Sequence, residues 1–242
     1  MTALLDAAHL RVAYGEVRVL DGVDMKIGRG EFVALMGPNG AGKTTLLHAI
    51  AGTVSLCGGS ANIAGYDLAK APREAKMAMG LAVDPASLPV LLTGRECLAL
   101  FAGARGLPAI SPATLALGET LSLTPVLDRR IASYSLGMRQ KLGILLGLIG
   151  EPPLLLLDEP FNGLDPRSAL EFKKHLCALV AQGNTSVLLA THSLDTAEGH
   201  ATRIVLLMDG HVQQVWCAPE LAAIREQPQC SLEMAMAEAC GG

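Results

Sequence analysis

Three stretches of this chain place reactive side chains directly after short apolar runs. In the first, Phe32–Met36 breaks into Gly37, Pro38, Asn39, Gly40, Ala41, Gly42, Lys43, Thr44 and Thr45. Gly37, Gly42, Lys43 and Thr44 stand in the G-x-x-x-x-G-K-[ST] order of a phosphate-binding loop. Glycines let successive backbone N–H groups turn inward without a Cβ clash, and the helix that follows adds a partial positive charge at its start. The result is a cup for polyphosphate. Lys43 would reach the β- and γ-phosphates, the Thr44 hydroxyl would ligate Mg²⁺, and Thr45 would donate to the α-phosphate.

In the second stretch, residues 154–157 are all leucine and lead to Asp158, Glu159 and Pro160. A loop holding Mg·ATP needs a further carboxylate on the metal, a role that suits Asp158. Glu159 would then orient or deprotonate an attacking water. In the third, Ser186–Ala190 ends at Thr191 and His192, and the imidazole would hydrogen-bond the γ-phosphate from the opposite wall. Tyr14 sits at a turn upstream of the loop in a chain with 3% aromatics. It suits either stacking on a nucleobase or capping the edge of a sheet.

Those positions need strand ends to carry them. Alternation over residues 8–13 and Val17–Ile27, with turns at Tyr14-Gly15 and Asp21-Gly22, predicts antiparallel strands leading into the loop strand. A further strand is expected at 58–64, a helix at 72–79, and a brief strand at 80–83 ending at Asp84-Pro85. Residues 93–150 then read as helical, over 95–104, 111–121 and 135–149, punctuated by Pro108, Pro112 and Pro125. A helix over Pro166–Ala181, a helix beginning at Ser193, and a hairpin turning at Asp209-Gly210 complete the pattern. Strands alternating with helices imply a largely parallel sheet with its chemistry at the strand C-terminal ends. Residues 219–242 are weakly patterned and are expected to be partly mobile.

The chain has 242 residues, half of them apolar, and a net charge of −4. Its length supports one large domain or a core with a smaller lobe. With no basic run longer than two residues, nucleic acid is a poor partner. The six cysteines show no CxxC spacing and no secretory leader is evident, which suggests reduced, mostly structural thiols in the cytosol. The most apolar stretch, 142–157, is broken by Gly143, Gly147, Gly150, Glu151, Pro152 and Pro153, so it cannot span a bilayer.

Between the loop and the acidic pair lies Tyr134-Ser135-Leu136-Gly137-Met138-Arg139-Gln140. This segment resembles the signature sequence of ATP-binding cassette (ABC) ATPases. Phe161-Asn162-Gly163-Leu164-Asp165-Pro166 resembles their D-loop, Ala190 to Ser193 their switch-histidine segment, and Tyr14 stands where their adenine-stacking aromatic belongs. The resemblance covers about residues 4–216. It implies an α/β P-loop core with a mostly parallel sheet, an N-terminal antiparallel β-subdomain, and an α-helical subdomain inserted at about 85–150. The ATPase domain would occupy 1–218 and a C-terminal tail 219–242. Two cassettes would sandwich two ATP molecules head to tail, each phosphate loop facing the signature segment of the other subunit. Ser135 and the N–H groups of Gly137 and Met138 would hold the γ-phosphate from across that interface.

Two positions depart from the family pattern. Asp84 stands where the family has Gln or Glu at the end of the strand before the helical lobe, and it would reach Mg²⁺ or the attacking water through a bridging water. Leu136 replaces the commonest first glycine of the signature. Residues 91–96 resemble the corresponding segment of exporter-type bacterial subunits. The implied job is to power a separate membrane permease from the inner face of the cell membrane, as a homodimer or beside a second cassette. A soluble mechanical ATPase is the alternative, although the paired cassettes and long insertions usual there do not occur. A P-loop kinase or GTPase is weaker, since no Asn-Lys-x-Asp motif is present.

Overall fold

A computed structural model describes residues 3–226 and 231–240. Strands β1 (Leu5–Tyr14) and β2 (Val17–Ile27) form an antiparallel hairpin. β4 (Gly58–Ile63) pairs on the free side of β1, and β5 (Tyr66–Asp67) pairs with β4. The second sheet runs in the order β10-β9-β3-β8-β7-β6, with β3 (Phe32–Met36) near its middle. β7 is Leu154–Asp158, β8 Ser186–Ala190, β6 Met79–Leu81, β9 Arg203–Met208 and β10 His211–Cys217. All neighbouring pairs are parallel except β9 with β10, whose Asp209-Gly210 turn makes a hairpin.

Side-chain alternation along the parallel strands separates two cores. Val33, Leu35, Leu154, Leu156, Leu188 and Ala190 face one side, with the helix α1 (Lys43–Ile50) and the antiparallel sheet. Phe32, Ala34, Leu155, Leu157, Val187 and Leu189 face the other. There they meet α3 (Gly94–Ala104), α4 (Pro112–Thr120), α5 (Leu136–Leu148) and α6 (Pro166–Ala181). Strands buried on both faces read as unbroken apolar runs, which is why 154–157 holds only leucine.

Glycine makes one contact in this layer possible. Gly143 and Gly147, one turn apart on α5, lie against the backbone that follows β6. A Cβ on Gly143 would sit 2.1 Å from the Val83 oxygen, and one on Gly147 would sit 2.8 Å from the Ala82 nitrogen. The same close approach lets the Val83 N–H donate to the Gly143 carbonyl at 3.1 Å. The glycines that interrupt the apolar run are therefore helix–strand contact points.

Several expectations change. The helix expected over 72–79 is α2 (Pro72–Met77), and Met79 belongs to β6 because it pairs with Leu154. The β5 strand was not expected at all. The expected mobile tail instead forms α8 (Ala218–Glu226) and α9 (Leu232–Cys240). Leu221 and Leu232 are buried in the core on the α6 side, which is the apolar contact that orders these helices. Residues 227–230 and 241–242 of that expectation lie outside the described residues. Among the thiols, Cys97 is buried but Cys57 and Cys217 are exposed, so the structural reading does not extend to those two. Among the described residues, no helix is long and apolar enough to cross a membrane.

Candidate functional site

Three adjacent strands of the parallel sheet end together. Leu35 of β3 is in register with Ala190 of β8, and Ala190 with Asp158 of β7. At ordinary strand spacing that row spans about 10 Å. Alternation turns Asp158 to the same face as Leu154 and Leu156, the face on which α1 lies. The carboxylate thus points to the side of the sheet where α1 opens with Lys43 and Thr44.

The loop between β3 and α1 is built from left-handed glycines: Gly37, Gly40 and Gly42 have φ of 150°, 84° and 101°. A Cβ on Gly37 would lie 2.1 Å from the Leu207 oxygen and one on Gly42 would lie 2.9 Å from Leu20 Cδ2. Only glycine fits at these two positions. The N-terminus of α1 has no side-chain cap and no acidic residue in its first turn, so its N–H groups are free of the protein's own anions. Lys43 is buried and donates from Nζ to the carbonyl oxygens of Gly37 (2.8 Å) and Pro38 (3.0 Å). Its charge is therefore held across the mouth of the loop. Pro38, Asn39, Gly40 and Thr44 are exposed, Thr45 is half-buried and Ala41 is buried. A cation, uncapped N–H groups and an exposed hydroxyl fit a triphosphate with its metal.

Glu159 directly follows Asp158 and takes a left-handed backbone, φ 41°. Its own N–H donates to the Ala190 carbonyl at 3.0 Å, which tethers it to the end of β8. One carboxylate oxygen meets His192 Nδ1 at 2.8 Å and the other accepts from the Thr191 hydroxyl at 3.4 Å. The turn thus takes Glu159 out of the strand alternation and aims it at the next strand end. His192, expected to face the γ-phosphate, is also paired with the carboxylate through Nδ1. The Thr191 hydroxyl was missed by sequence reasoning, although its place after β8 was visible.

Two other positions carry local capping contacts that the sequence reading did not include. Asp84 is exposed, and its Oδ1 accepts from the Ala86 N–H at 2.8 Å, capping the 3₁₀ turn Pro85–Ser87. Ser135 caps α5: its hydroxyl oxygen accepts from the Met138 N–H at 3.2 Å. That N–H, expected to serve a phosphate, is occupied within the chain, while the Ser135 hydroxyl hydrogen and the Gly137 N–H remain available. Ser135 is exposed and Leu136 is 65% exposed, so the head of α5 faces outward. Tyr14 is 52% exposed at the tip of the β1–β2 hairpin, and β2 touches the loop where Leu20 and Val19 approach Gly42. The second wall of the P-loop was not foreseen. Met236 and Glu233 of α9 line a cavity of about 450 Å³ together with Gly37, Pro38 and His192.

Residues 20–162 match the model of the ABC transporter family, more than half of the chain. The chain belongs to that family. The cassette is 44% identical over 207 residues to the daunorubicin resistance ATP-binding protein DrrA2 of Streptomyces coeruleorubidus, covering 84% of this chain and 64% of that protein. It therefore spans somewhat less than two thirds of that relative. A solved ATP-binding subunit of an ABC transporter superposes with a TM-score of 0.87 at 33% identity, covering 98% of this chain and 99% of that one. The dimeric bacterial cassette MJ0796 superposes with a TM-score of 0.80 at 25% identity, covering 88% of this chain and 98% of that one. The cassette fold is thus that of ABC ATPases, with its antiparallel sheet, mixed main sheet and helices.

Proposed function

We propose that this cassette binds and hydrolyses ATP as the motor subunit of an exporter whose permease is a separate polypeptide. The observation that carries the reading is the meeting, on three adjacent strand ends, of the glycine loop with Lys43, the Asp158 carboxylate, and the Glu159–His192 pair. Lys43 and the N–H groups of the loop would bind the β- and γ-phosphates, and Thr45 the α-phosphate. Tyr14 would stack on the adenine. Thr44 and Asp158 would hold Mg²⁺, Asp84 would reach it or the attacking water through a bridging water, and the metal would draw charge from the phosphate oxygens.

Glu159 would accept the proton of the attacking water. Its carboxylate is aimed by the Thr191 hydroxyl and the His192 ring, while its backbone N–H is held by the Ala190 carbonyl. His192, held on Glu159 through Nδ1, keeps Nε2 free to face the γ-phosphate. The outward-facing Ser135 and Gly137 would close over the phosphate bound by a second cassette, and loss of that phosphate would release the dimer.

Export is supported by the likeness of residues 91–96 to exporter-type subunits and by the drug-resistance role in the name of the DrrA2 relative. Leu91, 79% exposed, and Val90 and Leu100 are exposed apolar residues of the helical lobe. A cleft of about 250 Å³, lined by Met79, Leu81, Val83, Phe101 and Arg105, would receive a permease helix. The cassette would then sit on the inner face of the membrane, its helical lobe at about 85–150 within an ATPase domain of 1–218. Glu159→Gln tests the reading. The variant should bind ATP, hydrolyse it at least ~10²-fold more slowly, and elute as a dimer with ATP and Mg²⁺. Hydrolysis at the parental rate would overturn it.

A further inference from the structure

The face of α5 that begins at Ser135 is fastened twice to the loop that follows Glu159. Gly137 lies so close to Gly163 that an added Cβ would sit 2.5 Å from its carbonyl oxygen. One turn further along the same face, Lys141 Nζ meets Asp165 Oδ2 at 2.9 Å. Lys141 is 12% exposed and Asp165 52% exposed. The lysine stem is thus taken from water while its ammonium is brought to one particular carboxylate.

Asp165 is itself fixed. Its Oδ1 accepts from the Ser168 N–H at 2.9 Å and its Oδ2 from the Ser168 hydroxyl at 2.6 Å, which caps α6. The loop is tied back to the hydrolytic end as well, since the Asn162 N–H donates to the Glu159 carbonyl at 3.1 Å. A continuous chain of contacts therefore runs from Glu159 through 162–165 to Lys141 and the head of α5.

We propose that Lys141 is a positioning residue for ATP hydrolysis: by holding Asp165 it sets the register between the Ser135 end of α5 and the Glu159 loop of the same protomer. This deepens the motor reading above and rests on it. Ser135 and Glu159 would serve different nucleotides of a dimer, one across the interface and one at home, so a rigid link between them ties the two sites together. The Gly137 contact and the packing of Phe161, Leu164 and Met138 on the common core are apolar and weakly directional, so they set distance more than angle. The Lys141–Asp165 contact adds a directional polar link between the same two segments. The ion pair is partly screened, so its contribution lies in geometry more than in stability. A displacement of about 1 Å in a reacting group is enough to cost up to ~10²-fold in rate.

The test uses the full chain. Lys141→Gln retains a hydrogen-bond donor without the charge, Lys141→Met removes charge and donor, and Lys141→Arg restores both. Steady-state ATP hydrolysis, binding of a fluorescent ATP analogue and thermal unfolding are read for each beside the parent chain. Lys141→Gln should lower kcat about tenfold with ATP affinity within about twofold, Lys141→Met should lower it further, and Lys141→Arg should recover most of the rate. A kcat for Lys141→Gln within about twofold of the parent would overturn the proposal, as would a loss that appears only in KM or that Lys141→Arg does not repair. A parent chain that hydrolyses no ATP refutes the motor reading itself, whereas an active parent with an indifferent Lys141→Gln refutes only the positioning role.

Discussion

At the scale of single residues, geometry assigns work that residue type leaves open. Asp84 has the charge to serve a metal, yet one of its oxygens is committed to the Ala86 N–H. Asp84→Gln keeps a polar group three residues beyond β6 but caps the 3₁₀ turn poorly, at a cost of about 1 kcal/mol. It should lower the thermal midpoint slightly and leave ATP hydrolysis within a few-fold of the parent; total loss of hydrolysis would show that the carboxylate is needed on the metal. Asp165 is the opposite case. The Ser168 hydroxyl, then Lys141 and the Ser168 N–H, hold its carboxyl well below the ordinary value of 3.8. A depressed carboxyl contributes stability that is complete above its unfolded value and is lost as pH falls through its folded one. The link through Lys141 is therefore charged and constant at neutral pH, and it is released only in strong acid.

At the scale of elements, α5 shows how packing reverses a propensity rule. Replacing glycine by alanine inside a helix ordinarily gains about 1 kcal/mol. At Gly143 the new Cβ would meet the Val83 oxygen at 2.1 Å, and backbone cannot swing aside as a flexible side chain does. Gly143→Ala should therefore destabilise the chain by about 2–3 kcal/mol in urea unfolding. A gain in stability would mean that α5 sits further from β6 than the contact requires. The helix α9 teaches a related lesson: a single fully buried residue, Leu232, anchors an element whose sequence lacks a strong pattern.

At the scale of the whole molecule, the helical lobe shares one continuous core with the sheet. Cys97 of α3 and Leu117 of α4 belong to the same buried cluster as Leu155 and Leu189 of the sheet. Burial pushes the Cys97 thiol up to about 11, so its reactive thiolate is scarce at pH 8 as well as shielded. Alkylation at pH 8, followed peptide by peptide, should label exposed Cys57 and Cys217 at least ~10²-fold faster than Cys97, which should react only as the fold opens. Cys97 labelled as fast as Cys57 would mean that the lobe opens independently of the sheet.

The order of loop, signature segment, acidic pair and histidine is local in sequence, and each motif ends a strand or starts a helix through short-range rules. Those rules alone are enough to place Gly37 to Thr45, Asp158, the helix Pro166–Ala181 and the strand Ser186–Ala190. What lay beyond them are contacts between residues far apart in the chain: His192 on Glu159, Lys141 on Asp165, Gly143 under Val83, and α9 beside Gly37. Periodicity reports which face of an element is apolar, and capping residues report where it starts. Neither reports which other element will cover that face, because the choice is made by the whole core at once, through shape and buried area summed over distant segments.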